Sequence, residues 1–135
     1  GLPSAMMASM LYPDRRVLAV CGDGGFMMSS QELETAVRLG LDLVVLILQD
    51  DAYGMIRWKQ AADGFPDFGM SFGNPDFVTY AKAYGMKGAR VDSADGLAPA
   101  LEAAFAARGM HLIAVPVDYS ENMRVLVEEL GRIQE

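Results

Sequence analysis

Two short apolar runs, Arg16 to Cys21 and Leu43 to Leu48, show no alternation of polar and apolar positions. Runs of that length without alternation read as strands buried on both faces, the habit of a parallel sheet. Between them, Ser29 or Ser30 is placed to cap a helix through Glu32-Leu33-Glu34-Thr35-Ala36-Val37-Arg38-Leu39, with Glu32 three residues after Ser29 as a capping box and Gly40 as the stop. A shorter helix precedes the first run, from Pro3 to Leu11, and Tyr12-Pro13-Asp14-Arg15 turns the chain between them.

The pattern then breaks. From Asp51 to Asn74 no period is visible. Gly54, Gly64, Pro66, Gly69 and Gly73 punctuate this stretch, among Tyr53, Trp58, Phe65, Phe68 and Phe72. A long aromatic loop in a compact domain is often functional. Regular pattern resumes with a helix opened by Asn74-Pro75, running through Phe77, Tyr80, Ala81 and Tyr84 and ended by Gly85. There follow a strand from Gly88 to Val91, a helix from Ser93 or Asp95 through Phe105 closed by Gly109, a strand from His111 to Val117, and a helix from Glu121 to Leu130. Strands alternating with helices predict a three-layer α/β domain, a mostly parallel sheet flanked by helices, over residues 1–135. Crossovers are expected to be right-handed, and ligands to bind outside the carboxyl ends of the strands.

Composition narrows the function classes. The chain has 135 residues, enough for a core, and a formal charge of −7, which argues against nucleic acid binding by a basic surface. No apolar run approaches the ~18–20 residues of a membrane span. The single cysteine, Cys21, lies in an apolar strand and reads as a core residue in a reducing compartment, so a cytoplasmic location is expected. The methionines read as soft core filler, and His111 has no neighbour at metal-ligand spacing.

The candidate chemistry lies where the two apolar runs end. Asp23 follows the first run in Gly22-Asp23-Gly24-Gly25, and Asp50 follows the second in Gln49-Asp50-Asp51-Ala52-Tyr53-Gly54. Neighbouring strands lie about 4.8 Å apart, so both carboxylates reach one ion if the strands are adjacent. Glycine lets backbone amides come close to an anion. Magnesium combines one or two carboxylates with phosphate oxygens in an octahedral shell. Taken alone, Gly-Asp-Gly is a common turn; the pair in this frame suggests a hard cation carrying a phosphate group.

These residues also resemble a known motif. Gly22-Asp23-Gly24-Gly25-Phe26, a spacing of 27 positions from Asp23 to Asp50, and Ala52-Tyr53-Gly54-Met55 look like the thiamine-diphosphate motif. Gln31 to Arg38, Tyr53 to Gln60, Phe72-Gly73-Asn74-Pro75-Asp76-Phe77 and Pro116-Val117-Asp118-Tyr119 resemble the acetolactate synthases in particular. The resemblance covers essentially the whole sequence and implies the C-terminal, diphosphate-binding domain of a longer chain. It implies that Asp23 and Asp50 ligate Mg2+ through their side chains and Ala52 through its carbonyl. Gly22, Gly24 and Gly25 would contact the diphosphate, with Tyr53, Gly54 and Met55 closing over it, and Trp58 would lie near the substrate channel. The sequence departs from the motif in three places. Gln49 replaces the first residue of the usual Asn pair, Asp50 replaces the second as in the catabolic type of synthase, and Ser29 stands where many relatives have Asn.

The same resemblance implies thiamine diphosphate as cofactor, pyruvate and a second 2-oxo acid as substrates, and a homo-oligomer. The glutamate that activates the cofactor's aminopyrimidine would come from an N-terminal pyrimidine-binding domain of the same or a neighbouring subunit. The isolated chain is therefore expected to lack carboligase activity, and no residue in it is assigned a catalytic role. FAD, where family members hold it, binds through a middle domain and is undecided by these residues. Another thiamine-diphosphate-dependent decarboxylase or carboligase is the nearest alternative, and a non-catalytic module that only binds a partner domain is an alternative of another class.

Overall fold

The computed structural model describes residues 1–122, and the sheet it shows is entirely parallel, with four strands in the order β1-β2-β4-β3. The strands are β1 (Leu18–Gly22), β2 (Leu43–Gln49), β3 (Lys87–Arg90) and β4 (Met110–Pro116). The helices are α1 (Leu2–Leu11), α2 (Asp23–Met27), α3 (Glu32–Arg38), α4 (Gly54–Ala62), α5 (Phe77–Ala83) and α6 (Ala94–Ala107). The expected three-layer α/β arrangement is borne out. Past Asn122, the helix expected from Glu121 to Leu130 lies outside the described residues.

The apolar run of β2 is unbroken because both its faces are covered. Leu43, Val45 and Ile47 join α1, α2, α3 and α5 in one core through Leu2, Met6, Phe26, Leu33, Ala36, Phe77 and Ala81. Val44, Leu46 and Leu48 face α6 through Leu97, Leu101, Ala104 and Phe105. The apolar residues of β4 divide the same way, Leu112 and Ala114 to the first core and Ile113 and Val115 to the second.

The run ending in β1 has a different environment from the one expected. Ala19 and Cys21 are buried, whereas Leu18 and Val20 on the other face are 39% and 52% exposed. β1 is the sheet's outer strand, and α6 does not extend over it. The apolar run is shared with β2, but the second cover is not.

Three local expectations also need correction. The chain does not wait until Ser29 or Ser30 to turn helical: α2 begins at Asp23, directly after β1, with Gly22 as its N-cap. Fully buried Phe26 holds this turn down, edge-on to Phe77 with ring centroids 5.8 Å apart. The Ser29–Glu32 capping box is not made. α3 starts after Gln31 without a side-chain cap, and the Ser30 hydroxyl instead accepts a hydrogen bond from the Tyr80 hydroxyl at 3.0 Å. The stretch expected to be aperiodic contains α4, and α5 is capped by Asp76, whose carboxylate accepts the Thr79 amide at 2.6 Å.

Candidate functional site

β1 and β2 are hydrogen-bonded neighbours with Gly22 opposite Leu48, so Asp23 and Asp50 emerge side by side at the carboxyl end of the sheet. Asp23 is 1% exposed and makes a dense set of contacts. Its Oδ1 accepts the Gly24 amide at 2.8 Å. Its Oδ2 accepts the Asp50 amide at 3.1 Å, the Asp51 amide at 2.8 Å and the Asn74 side-chain Nδ2 at 2.7 Å. One carboxylate thus ties together the ends of both strands and a residue from the far end of the long loop.

Asp50 is held against it. Its Oδ1 accepts the Ala52 amide at 3.3 Å, and the Tyr119 hydroxyl donates to the same carboxyl group. Burial raises the Asp50 pKa above its ordinary value, and the charge and side chain of Asp23 raise it further. Tyr119 is also raised, by burial and then by Asp50. Two carboxyl groups in contact repel when both are ionised, and a divalent cation between them converts that repulsion into attraction.

The loop from Asp51 onward folds back over these groups. Asp51 takes a left-handed backbone conformation, φ 55°, which turns the chain out of β2. Its Oδ1 accepts Gln49 Nε2 at 2.9 Å and Asn74 Nδ2 at 2.7 Å, and these two bonds lower its pKa, Gln49 first. The return strand is joined through the Tyr53 amide to the Met70 carbonyl at 2.9 Å, a bridge between Ala52 and Ser71, and the Phe72 amide to the Asp51 carbonyl at 3.1 Å. Tyr53 and Phe72 stack at 4.9 Å. Their rings lie so close to Gly24 that a Cβ there would come within 2.8 Å of the Tyr53 ring, so only glycine fits.

The result is a cleft of about 200 Å³ lined by Gly22, Asp23, Gly24, Gly25, Asp50, Ala52, Tyr53, Gly54, Met55, Ile56 and Tyr119 together with Leu48. Apart from the adjoining backbone, no atom of the described residues lies within 4 Å of the Cβ positions of Gly22 or Gly25, so this wall is bare backbone. The first turn of α4 supplies Gly54, Met55 and Ile56, whose amides precede the first intrahelical acceptor pair, Arg57 amide to Tyr53 carbonyl at 2.9 Å. Among the described residues the lining holds two carboxylates and no Lys or Arg. A bare diphosphate would be repelled here, whereas one carried by a divalent cation would be compatible, with Asp23 and Asp50 as carboxylate donors to the cation and the N–H groups at a helix start as donors to the anion. Among the described residues no three His, Cys, Asp or Glu side chains gather to hold a metal, so such a cation would need backbone and ligand oxygens as well.

All nine residues expected around the cofactor therefore line one cleft. Trp58 does not. It lies one turn along α4 and lines an adjoining cavity of about 360 Å³ with Asp50, Gly54, Arg57, Val117, Tyr119 and Asn122. Gln49, at the position where the motif has Asn, bonds to Asp51 and accepts Arg90 Nη1 at 3.1 Å. Two residues of the site had no separate role in the sequence: Tyr119, just past β4, and Asn74, which had been taken only as a helix opener. The signal for Tyr119 was its place after a strand at the same end of the sheet as Asp23 and Asp50.

Residues 1–115 match the family model described as thiamine pyrophosphate enzyme, C-terminal TPP binding domain. The acetolactate synthase of Bacillus subtilis (strain 168) is 42% identical over 132 residues, which cover 98% of this chain and 23% of that protein. The catabolic acetolactate synthase of Raoultella terrigena is 43% identical over 122 residues, 90% of this chain and 22% of that protein. Among solved structures, the thiamine diphosphate-dependent 4-hydroxybenzoylformate decarboxylase of Rhodococcus jostii RHA1 superposes with a TM-score of 0.82 at 31% identity, covering 90% of this chain and 23% of that one. The chain spans less than a quarter of the length of each of these proteins.

Proposed function

The chain belongs to the thiamine pyrophosphate enzymes, as their C-terminal TPP-binding domain, and from that premise we propose that its Asp23–Asp50 cleft holds the magnesium-diphosphate end of the cofactor in an acetolactate synthase-like enzyme. The observation that carries the site is the contact between these two carboxyl groups in a cleft whose described residues include no basic side chain. Asp23 and Asp50 would ligate Mg2+ through their side chains and Ala52 through its carbonyl. Gly22 and Gly25 would give the diphosphate close access to backbone, Gly24 lies under the Tyr53 and Phe72 rings with its amide on Asp23, and Tyr53, Gly54 and Met55 bring the start of α4 to the other side.

When bound, thiamine diphosphate supplies the carbanion stabilisation that 2-oxo acid decarboxylation requires. The residues of this chain anchor and orient it. Asp23 is immobilised by four hydrogen bonds, and the stacked Tyr53 and Phe72 rings cover Gly24. We assign no proton transfer to any of them. The full reaction on this reading is decarboxylation of pyruvate followed by addition of the two-carbon unit to a second 2-oxo acid. A pyrimidine-binding domain of the same or a neighbouring subunit completes the site in a homo-oligomer. The synthase reading draws on the identity to the two acetolactate synthases. A buried free Cys21 suits a reducing, cytoplasmic setting.

A second reading, a 2-oxo acid decarboxylase that releases an aldehyde, is favoured by the superposition on the 4-hydroxybenzoylformate decarboxylase. Incubating the full-length natural protein with pyruvate, thiamine diphosphate and Mg2+ separates the two, since acetolactate supports the first and free aldehyde without acetolactate the second. The site itself is tested by calorimetric titration with thiamine diphosphate. Binding should require Mg2+ and be lost in Asp50→Ala; binding that is indifferent to both would sink the assignment.

A further inference from the structure

We propose that Asn74 is a positioning residue for the metal site: its side-chain amide, shared between Asp23 and Asp51, holds the Asp23 carboxylate in the orientation that leaves Oδ1 to a cation. The inference rests on the site reading above and extends it to a residue outside the strand-end motifs. Asn74 Nδ2 lies 2.7 Å from Asp23 Oδ2 and 2.7 Å from Asp51 Oδ1, so one neutral donor bridges two carboxylates from different segments. Its Oδ1 is buried and has no hydrogen-bond partner among the described residues. Turning the amide over would set that oxygen against two anionic oxygens, so the carboxylates dictate the orientation.

The consequence for Asp23 follows from counting acceptors. A carboxylate oxygen offers two lone-pair sites. Asp23 Oδ2 already takes three donors, from the Asp50 amide, the Asp51 amide and Asn74, and is saturated. Among the described residues Oδ1 takes one hydrogen bond, from the Gly24 amide, and keeps acceptor capacity. Oδ1 is then the oxygen available to a metal. The two backbone donors arrive with the strand end and are insensitive to side chains. Asn74 is the third, and the only one that a substitution removes. It also ties the return of the loop to the carboxylate, through a sequence separation of 51 residues. Groups that hydrogen-bond a metal-ligating carboxylate set its orientation, and their loss typically weakens metal affinity by about 10- to 100-fold.

The test uses the purified protein at its full natural length. Mg2+ is titrated at fixed thiamine diphosphate, with cofactor binding followed by calorimetry and the metal-free Tm measured alongside. Asn74→Ala should raise the Mg2+ half-saturation concentration by about 10-fold or more at a temperature where the metal-free protein is folded. If Asn74→Ala does not fold, the neutral Asn74→Ser replaces it; too short to bridge both carboxylates, it should raise the half-saturation in the same direction. A lower Tm with unchanged Mg2+ half-saturation would show that Asn74 is merely structural and overturn the proposal. Asp50→Ala run in parallel separates the failures. If it raises the Mg2+ requirement and the Asn74 variant does not, only the positioning role is wrong. If neither changes it, the metal site itself is misassigned.

Discussion

A side chain built on Gly54 would overlap the carboxylate of Asp50, because its Cβ position falls against Asp50 Oδ2 and the Tyr119 ring. Gly54 is the first residue of α4 and needs no left-handed backbone, so alanine there is compatible with the helix. Gly54→Ala should therefore fold and still lose Mg2+-dependent binding of thiamine diphosphate by at least about tenfold, the scale on which disturbed ligand geometry reduces metal affinity. Circular dichroism and cofactor titration on the same sample check both halves.

The contact between Asp50 and Asp23 makes a prediction about the metal-free protein. Asp50→Asn removes one of two facing charges while keeping a side-chain oxygen. The variant should melt higher than the parent without Mg2+, and Mg2+ should raise its Tm less. Thermal scans with a chelator and with Mg2+ give the two differences. Equal Tm values without metal would mean that the carboxyls do not oppose each other.

Phe26 is fully buried beneath the turn that carries Asp23, with edge-on contacts to Phe77 and to Tyr80, the latter at 6.4 Å. Phe26→Ala should cost about 3–5 kcal/mol, the usual range for emptying a buried aromatic site. Urea denaturation at fixed Mg2+ measures it. A loss below ~1 kcal/mol would show that the core collapses to fill the space.

Asp76 caps α5, and the Thr79 amide, followed by the Thr79 side chain, lowers its pKa. A carboxylate lowered in the folded state contributes stability that is complete above its unfolded pKa and is lost as pH falls through the folded one. Asp76→Ala should be less stable than the parent at neutral pH, and the gap should close in acid below both values. Denaturation midpoints across pH follow it; a gap independent of pH would exclude a charged cap.

The sequence made some of this architecture readable for physical reasons and hid the rest. Leu43 to Leu48 read correctly because a strand covered on both faces has nowhere to place a polar residue. Arg16 to Cys21 has the same look, but its strand lies at the edge; periodicity reports the side chains and not the neighbours a strand will have. Helix α4 was not legible because none of its residues is buried and the glycines and prolines around it read as loop. Helix α2 was masked by its glycines, which are poor helix formers, and exists because Phe26 and Asp23 are both anchored. Asp23 and Asp50 were legible as a pair because each directly follows a strand. Asn74 was not, since its contact is created by the return path of a loop whose course no local pattern encodes.

That return path constrains how the domain can change. The joins from Tyr53 to Met70, Ala52 to Ser71 and Asp51 to Phe72 are backbone pairings, indifferent to the side chains between them. They count residues. Between Asp63 and Gly69 the left-handed Gly64 and Gly69 and the Asp67 pair with Arg57 limit exchange locally, while deleting or inserting a residue just before Asn74 would carry its amide out of register with Asp23. Loop length, more than loop composition, is what a chimera between relatives has to preserve.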